Sequence, residues 1–345
     1  MRVPALAGVK VNPVLRRELV ERMRGWRAGV ILTVYLTLLA GILYIAYRSG
    51  QNTDDSPFDR SINQAAGVGR GIFEWLLFLM LMLVLFLVPA LTSGAIAGER
   101  ERQTLLPLQV TLLRPRSIVL GKIGAAMAFL ALMIVAALPM LAVCYLIGGV
   151  SMGEVLGGVA LVLVLALAMA CLCTAVSSLV RRVQSATVLA YGLVLFLLVG
   201  TLLVRQAASG IDSSRGGDGT NLPSWLLLGN PLATVADVVD DGEDFGNAME
   251  TPFDGMEELL HRDEEGGSTA VAVGADAGFG VVQVGPGGQP IQIEVPVGPD
   301  GFGEVDRVDE KSPFWWQSLL LLSVVSALAV VVASWRLRTP TRNER

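Results

Sequence analysis

Six long stretches of the chain, 28–47, 72–94, 118–147, 155–179, 186–204 and 315–335, are almost purely apolar. A bilayer's hydrocarbon core is ~30 Å thick and a helix rises ~1.5 Å per residue, so ~20 such residues suffice to cross it. The stretches lack the two-residue alternation of barrel strands, and helices are the other way to satisfy a backbone in lipid. The pattern therefore predicts an all-α polytopic membrane protein with six transmembrane helices. The third stretch is over-long and contains Pro139, which predicts a kink, a strong tilt or an interfacial first turn.

Between these stretches the polar positions are unevenly charged. Basic residues gather before the first span (Arg2, Lys10, Arg16, Arg17, Arg22, Arg24, Arg27), after the second (Arg100, Arg102, Arg114, Arg116, Lys122), after the fourth (Arg181, Arg182) and in the tail (Arg336, Arg338, Arg342, Arg345). With six alternating helices all of these share one side, and the positive-inside rule makes it cytoplasmic, with both termini there. The opposite side receives Arg48, Arg60, Arg70 and Arg205. The first span reads as a retained signal anchor, since a long basic segment precedes it and no small-x-small cleavage site follows. The expected location is the plasma membrane. Composition agrees: 53% of residues are apolar and 17% charged, which no soluble domain of this size would carry.

The net charge of −5 comes from one segment. Residues 206–313 hold a run of acids from Asp212 to Glu310 against Arg215, Arg262, Arg307 and Lys311, so the pI says nothing about a nucleic-acid partner, and none is expected. The segment is Gly-rich, which predicts poor order over much of it. Within it, Pro223–Pro231 is apolar but too short to span, as an interfacial or re-entrant piece would be. The alternation in 281–284 and 290–295 around Gly285-Pro-Gly-Gly288 predicts a hairpin. The acidic remainder is a solvated spacer, the simpler reading, or a cation-binding segment.

Catalytic groupings are missing. His261 is the one histidine and sits among acids, whereas metal sites need several convergent ligands. Cys144, Cys171 and Cys173 lie inside spans, and the 171/173 spacing sends two thiols to different helix faces. Gly67-Val-Gly-Arg-Gly71 resembles a phosphate loop superficially, without the following Lys-Ser/Thr or a preceding strand. No charged residue lies deep in a span; Glu74, Glu154 and Arg48 fall at ends, which disfavours an ion-coupled carrier or a voltage sensor. The polar residues within spans, Thr174, Ser177, Ser178, Gln184, Thr187, Ser323 and Ser326, suit helix–helix contacts, and a conduit for amphipathic substrates would be equally apolar.

Two polar elements border the spans. In 11–27, Asn12 can cap a helix opened by Pro13, with Val14, Leu15 and Leu19 on one stripe and Arg16, Arg17, Glu21 and Arg24 elsewhere. That is an amphipathic helix for the inner interface, where its basic residues meet anionic lipid headgroups. After the second span, Gly98-Glu-Arg-Glu-Arg-Gln-Thr-Leu-Leu106 packs alternating charges against the apolar run. The charges must leave the hydrocarbon, either as an ordinary solvated loop or as a handle for a soluble partner.

Asn12-Pro-Val-Leu-Arg-Arg-Glu18, Ala97–Leu106 and Thr111-Leu-Leu-Arg-Pro-Arg-Ser-Ile-Val-Leu-Gly-Lys122, in this order relative to the spans, resemble the permease subunits of type-2 ATP-binding-cassette transporters. The resemblance implies a non-catalytic, membrane-spanning permease of an ATP-driven transporter, with export the expected direction. It implies a connecting helix over 1–27 containing Asn12, Pro13, Arg16, Arg17 and Glu18. It implies helices one to five over 28–204, with a coupling element in 98–122 formed by Glu99, Arg100, Glu101, Arg102, Gln103 and Thr104. An extracytoplasmic loop over 205–313 and helix six with a basic tail over 314–345 complete the layout. The implied partners are an ATPase subunit, which binds ATP and Mg so that this chain needs no cofactor, and a second permease copy or a paralogue. Gln103-Thr104 stands where the family commonly has Gly-Thr. The acidic outer loop is not a general family feature. The alternative from another class is a membrane-anchored extracytoplasmic binding or sensory module with the helices as scaffold.

Overall fold

The computed structural model describes residues 26–51, 62–103, 115–214, 227–240, 270–271, 281–284, 290–293 and 315–337. Its helices are α1 (Trp26–Gln51), α2 (Ile62–Thr92), α3 (Gly94–Glu101), α4 (Pro115–Ile147), α5 (Met152–Leu179) and α6 (Val183–Leu195). A π-turn (Phe196–Gly200) then leads to α7 (Thr201–Ser214), followed by α8 (Pro231–Asp240) and α9 (Trp315–Arg336). Among the described residues six stretches are long and apolar enough to cross a membrane: Ala28–Ile45, Ala66–Glu101, Arg116–Ile147, Met152–Leu179, Val183–Ala207 and Trp315–Arg336. They coincide with the six apolar stretches of the sequence, although the second and fifth run on past 72 and 204. Both extensions carry polar residues that find internal partners or burial.

Helix α5 is the hub. It packs on α9, α4, α2 and α6, and Leu165, Ala166, Met169, Ala170 and Cys173 along it are buried. Lipid tails are as apolar as leucine, so close approach rather than water exclusion holds such helices together, and small side chains permit it. The alanines of α5 and Gly158 do this: a Cβ on Gly158 would lie 3.1 Å from the Leu77 side chain of α2. Pro115 begins α4 at a position where the missing N–H costs nothing, and the helix runs through Pro139 to Ile147.

The bundle has two distinct ends. At one, which we call the hook end, the second span is interrupted at Ser93 and resumes as α3. At the far end the α4–α5 turn contains Gly148 (φ +109°) and Gly149 (φ +82°). There α5 starts with a reciprocal cap, in which Glu154 N donates to Ser151 Oγ at 3.2 Å and Ser151 N to Glu154 Oε2 at 2.7 Å. Gly67–Gly71 is part of α2 and forms no loop. In the acidic segment, β2 (Val281–Val284) pairs antiparallel with β3 (Pro290–Ile293), Val281 facing Ile293, and β1 (Ala270–Val271) flanks β2. The expected interfacial helix with Asn12, Pro13, Arg16, Arg17 and Glu18 lies outside the described residues, as do Thr104 and His261.

Candidate functional site

The charge cluster after the second span is built into the bundle. Ser177 of α5, fully buried, accepts hydrogen bonds from the backbone of Ile96 (3.1 Å) and Ala97 (3.0 Å) through its Oγ. Ser93 and Thr187 of α6 share a hydroxyl contact of 2.9 Å. Helix α3 is thereby held against both α5 and α6, with Gly94 and Gly98 facing Val183 at ordinary contact distance.

The charges then divide. Glu99 pairs with Lys122 of α4 at 3.2 Å, Lys122 being only 5% exposed. Arg100 Nη1 donates to the carbonyls of Ser178 (3.4 Å) and Val180 (3.3 Å), at the C-terminal end of α5. Glu101 Oε2 accepts from Val183 N at 3.1 Å, at the start of α6. A cation on a helix C-terminus and an anion on an N-terminus both suit the macrodipole. One Arg–Glu dipeptide therefore clasps both ends of the α5–α6 turn. It supplies the cap that α6 lacks locally, since its N-cap residue Arg182 makes no side-chain cap bond.

Arg102 and Gln103 complete the hook and are exposed. Gln103 N donates to Arg100 O at 3.1 Å and Gln103 has φ +57°, the left-handed ending that glycine usually provides. Replacing Gln103 by glycine should stabilise the turn by roughly 0.5–1 kcal/mol. The midpoint of thermal unfolding in detergent would rise, and a fall would contradict the left-handed geometry.

The charges at 98–104, which the sequence allows as a solvated loop or as a handle for a partner, also bind the bundle itself. Five residues of this stretch come together: Glu99, Arg100 and Glu101 hold α4, α5 and α6, and Glu101, Arg102 and Gln103 are exposed. The partners of Glu99, Arg100 and Glu101 lie 23 to 82 positions away, so no local pattern reveals them.

At the far end lies a second polar group, at positions the sequence assigns to loops or span ends. Arg70 and Glu74 form an ion pair of 3.1 Å within α2, Glu74 being 6% exposed, and Arg70 also donates to Val239 O. Asp237 of α8 is buried and accepts from Trp315 N at 2.6 Å, the first residue of α9. Arg205, which the sequence places on the outer side, is buried because the fifth span continues into α7. Asn230 caps α8, its Oδ1 accepting from Leu232 N at 2.9 Å. Its Nδ2 donates to Leu198 O (3.1 Å) and Thr201 Oγ1 (2.9 Å) at the π-turn. Asn230-Pro231 repeats the cap-plus-proline signature of Asn12-Pro13, and Leu232, Val235, Ala236 and Val239 keep helical spacing, so α8 had a readable signal.

Beneath α8 lies a cavity of about 230 Å³, bordered by Arg70, Phe73, Leu77, Gly157 and Val239 among others. Among the described residues no group of His, Cys, Asp and Glu could hold a metal ion, and Cys144, Cys171 and Cys173 are free and buried. Residues 30–335 match the family described as ABC-2 family transporter protein. No curated protein matches the chain.

Proposed function

The chain belongs to the ABC-2 transporter family, and from this premise we propose that it is the permease subunit of an ATP-driven exporter whose ATPase is a separate chain. The ATPase carries the ATP and Mg, and this chain supplies the pathway. A single bundle of six spans makes half a pathway, so a second copy or a paralogue completes it. The hook end faces the cytoplasm, with both termini, because the basic residues concentrate there.

The observation that carries the reading is the exposed tip Glu101, Arg102 and Gln103, on a turn where Glu99, Arg100 and Glu101 grip α4, α5 and α6. A partner that takes hold of this turn moves three helices at once. Nucleotide-driven closure of the partner then biases a two-state bundle, which is what coupling requires. The family match extends through the spans on both sides of the acidic segment, so nothing favours the helices as mere scaffold for that segment.

Arg102→Glu tests the reading better than a change at Glu101, which would also uncap α6. Co-expressed with its ATPase, sought first in the adjacent reading frame, the variant should insert normally yet lose most captured ATPase and transport. Wild-type capture and transport would remove the hook as the docking site.

A further inference from the structure

Resting on that reading, we infer that the docking surface is composite: Arg181 and Arg182 of the α5–α6 turn join Arg102 in one basic face that receives an acidic surface of the ATPase. The clasp provides the placement. Arg100 holds Val180 O and Glu101 holds Val183 N, at 3.3 and 3.1 Å. The two residues between those anchor points are Arg181 and Arg182, and the residue following the clasping dipeptide is Arg102. All three are exposed and form no salt bridge among the described residues.

Local chemistry accounts for Arg181, which follows the C-terminus of α5 where a cation suits the macrodipole, but not for Arg182. Arg182 is the N-cap of α6, where the macrodipole favours an anion and where Ser, Thr, Asp or Asn would cap. The fold corrects the mismatch from outside by bringing in Glu101, at the cost of fixing a long side chain. A local rule broken and repaired from elsewhere is characteristic of a functional surface. Three exposed guanidinium groups, next to the two anchor points of the clasp, present planar donor forks suited to carboxylates. Their mutual repulsion is relieved when an acidic partner neutralises them. Because the clasp joins the two loops, an acidic partner would engage both as one body.

The experiment compares R102E, R181E/R182E and the neutral pair R181Q/R182Q in the full-length chain co-expressed with the ATPase. It scores captured ATPase, and checks insertion by impermeant labelling of engineered cysteines on either side. The proposal expects R181E/R182E to lower capture about tenfold or more, with R181Q/R182Q intermediate. Wild-type capture should weaken steeply between low and high salt. If R102E loses the ATPase while correctly inserted R181Q/R182Q and R181E/R182E retain it, the arginines act in topology or on headgroups only, and the composite surface is overturned. Loss of affinity for anionic vesicles with unchanged capture has the same meaning. If R102E also keeps the ATPase, the underlying docking assignment fails instead.

Discussion

Gly149→Val should unfold the far end of the bundle, with a loss of roughly 2–5 kcal/mol. Gly149 has φ +82°, and a Cβ placed there would lie 1.9 Å from Ala66 O of α2. The backbone of α2 thus passes directly over the turn, and no flexible side chain is available to yield. Left-handed backbone costs a branched residue ~1–2 kcal/mol, and forcing extra atoms into a packed site costs ~1–3 kcal/mol more. The same contact is tight from the other side, since a Cβ on Gly69 would meet Gly148 O at 2.0 Å. Thermal unfolding and monodispersity in detergent measure the effect. Gly153→Ala, whose Cβ would meet only Ser151 Oγ at 3.6 Å, is the matched control. Equal melting of G149V and wild type would mean that α2 does not cross the turn as described.

Asn230→Leu should free α8 from the bundle. The side chain is fully buried and makes three hydrogen bonds, one to the α8 backbone and two to the π-turn region of the fifth span. Losing the cap costs ~1 kcal/mol, and leaving buried partners unsatisfied costs ~1–3 kcal/mol. A π-turn shifts the helical ladder by one residue, so its carbonyls depend on an outside donor more than ordinary helical ones do. The readout is local: a cysteine at Val235, a position buried in the native chain, should react with an impermeant thiol reagent far faster in the Asn230→Leu background. An unchanged rate would show that α8 is held by its apolar face alone.

These sites mark what the sequence could and could not disclose. The spans were legible because each carries its own signal, ~20 apolar residues with flanking charge, independent of any other part of the chain. Gln103 was legible as a departure, and the left-handed φ supplies its physical content. The grip of Glu99, Arg100 and Glu101 on the bundle was not, because their partners are set by how α4, α5 and α6 pack. Asp237 was hidden for a different reason. Counted with its acidic neighbours it looks solvated, and only the helical spacing of Leu232 to Val239 separates it from them. Gly67–Gly71 and Gly148–Gly149 give no sign in sequence that their backbones meet.

Helix α5 has a further mechanical meaning. It spans 28 residues without a proline, about 42 Å of unbroken rod at ~1.5 Å per residue. Arg100 grips carbonyls at one end of that rod, while Gly153, Glu154, Gly157 and Gly158 at the other end line the 230 Å³ cavity. The grip of Arg100 and the cavity wall therefore sit at opposite ends of one rigid helix. A tilt of about 5° at the hook displaces the far tip by nearly 4 Å, on the order of a methyl group's width, given a length of ~42 Å. Such a rigid tilt would resize the cavity wall without any helix having to unfold.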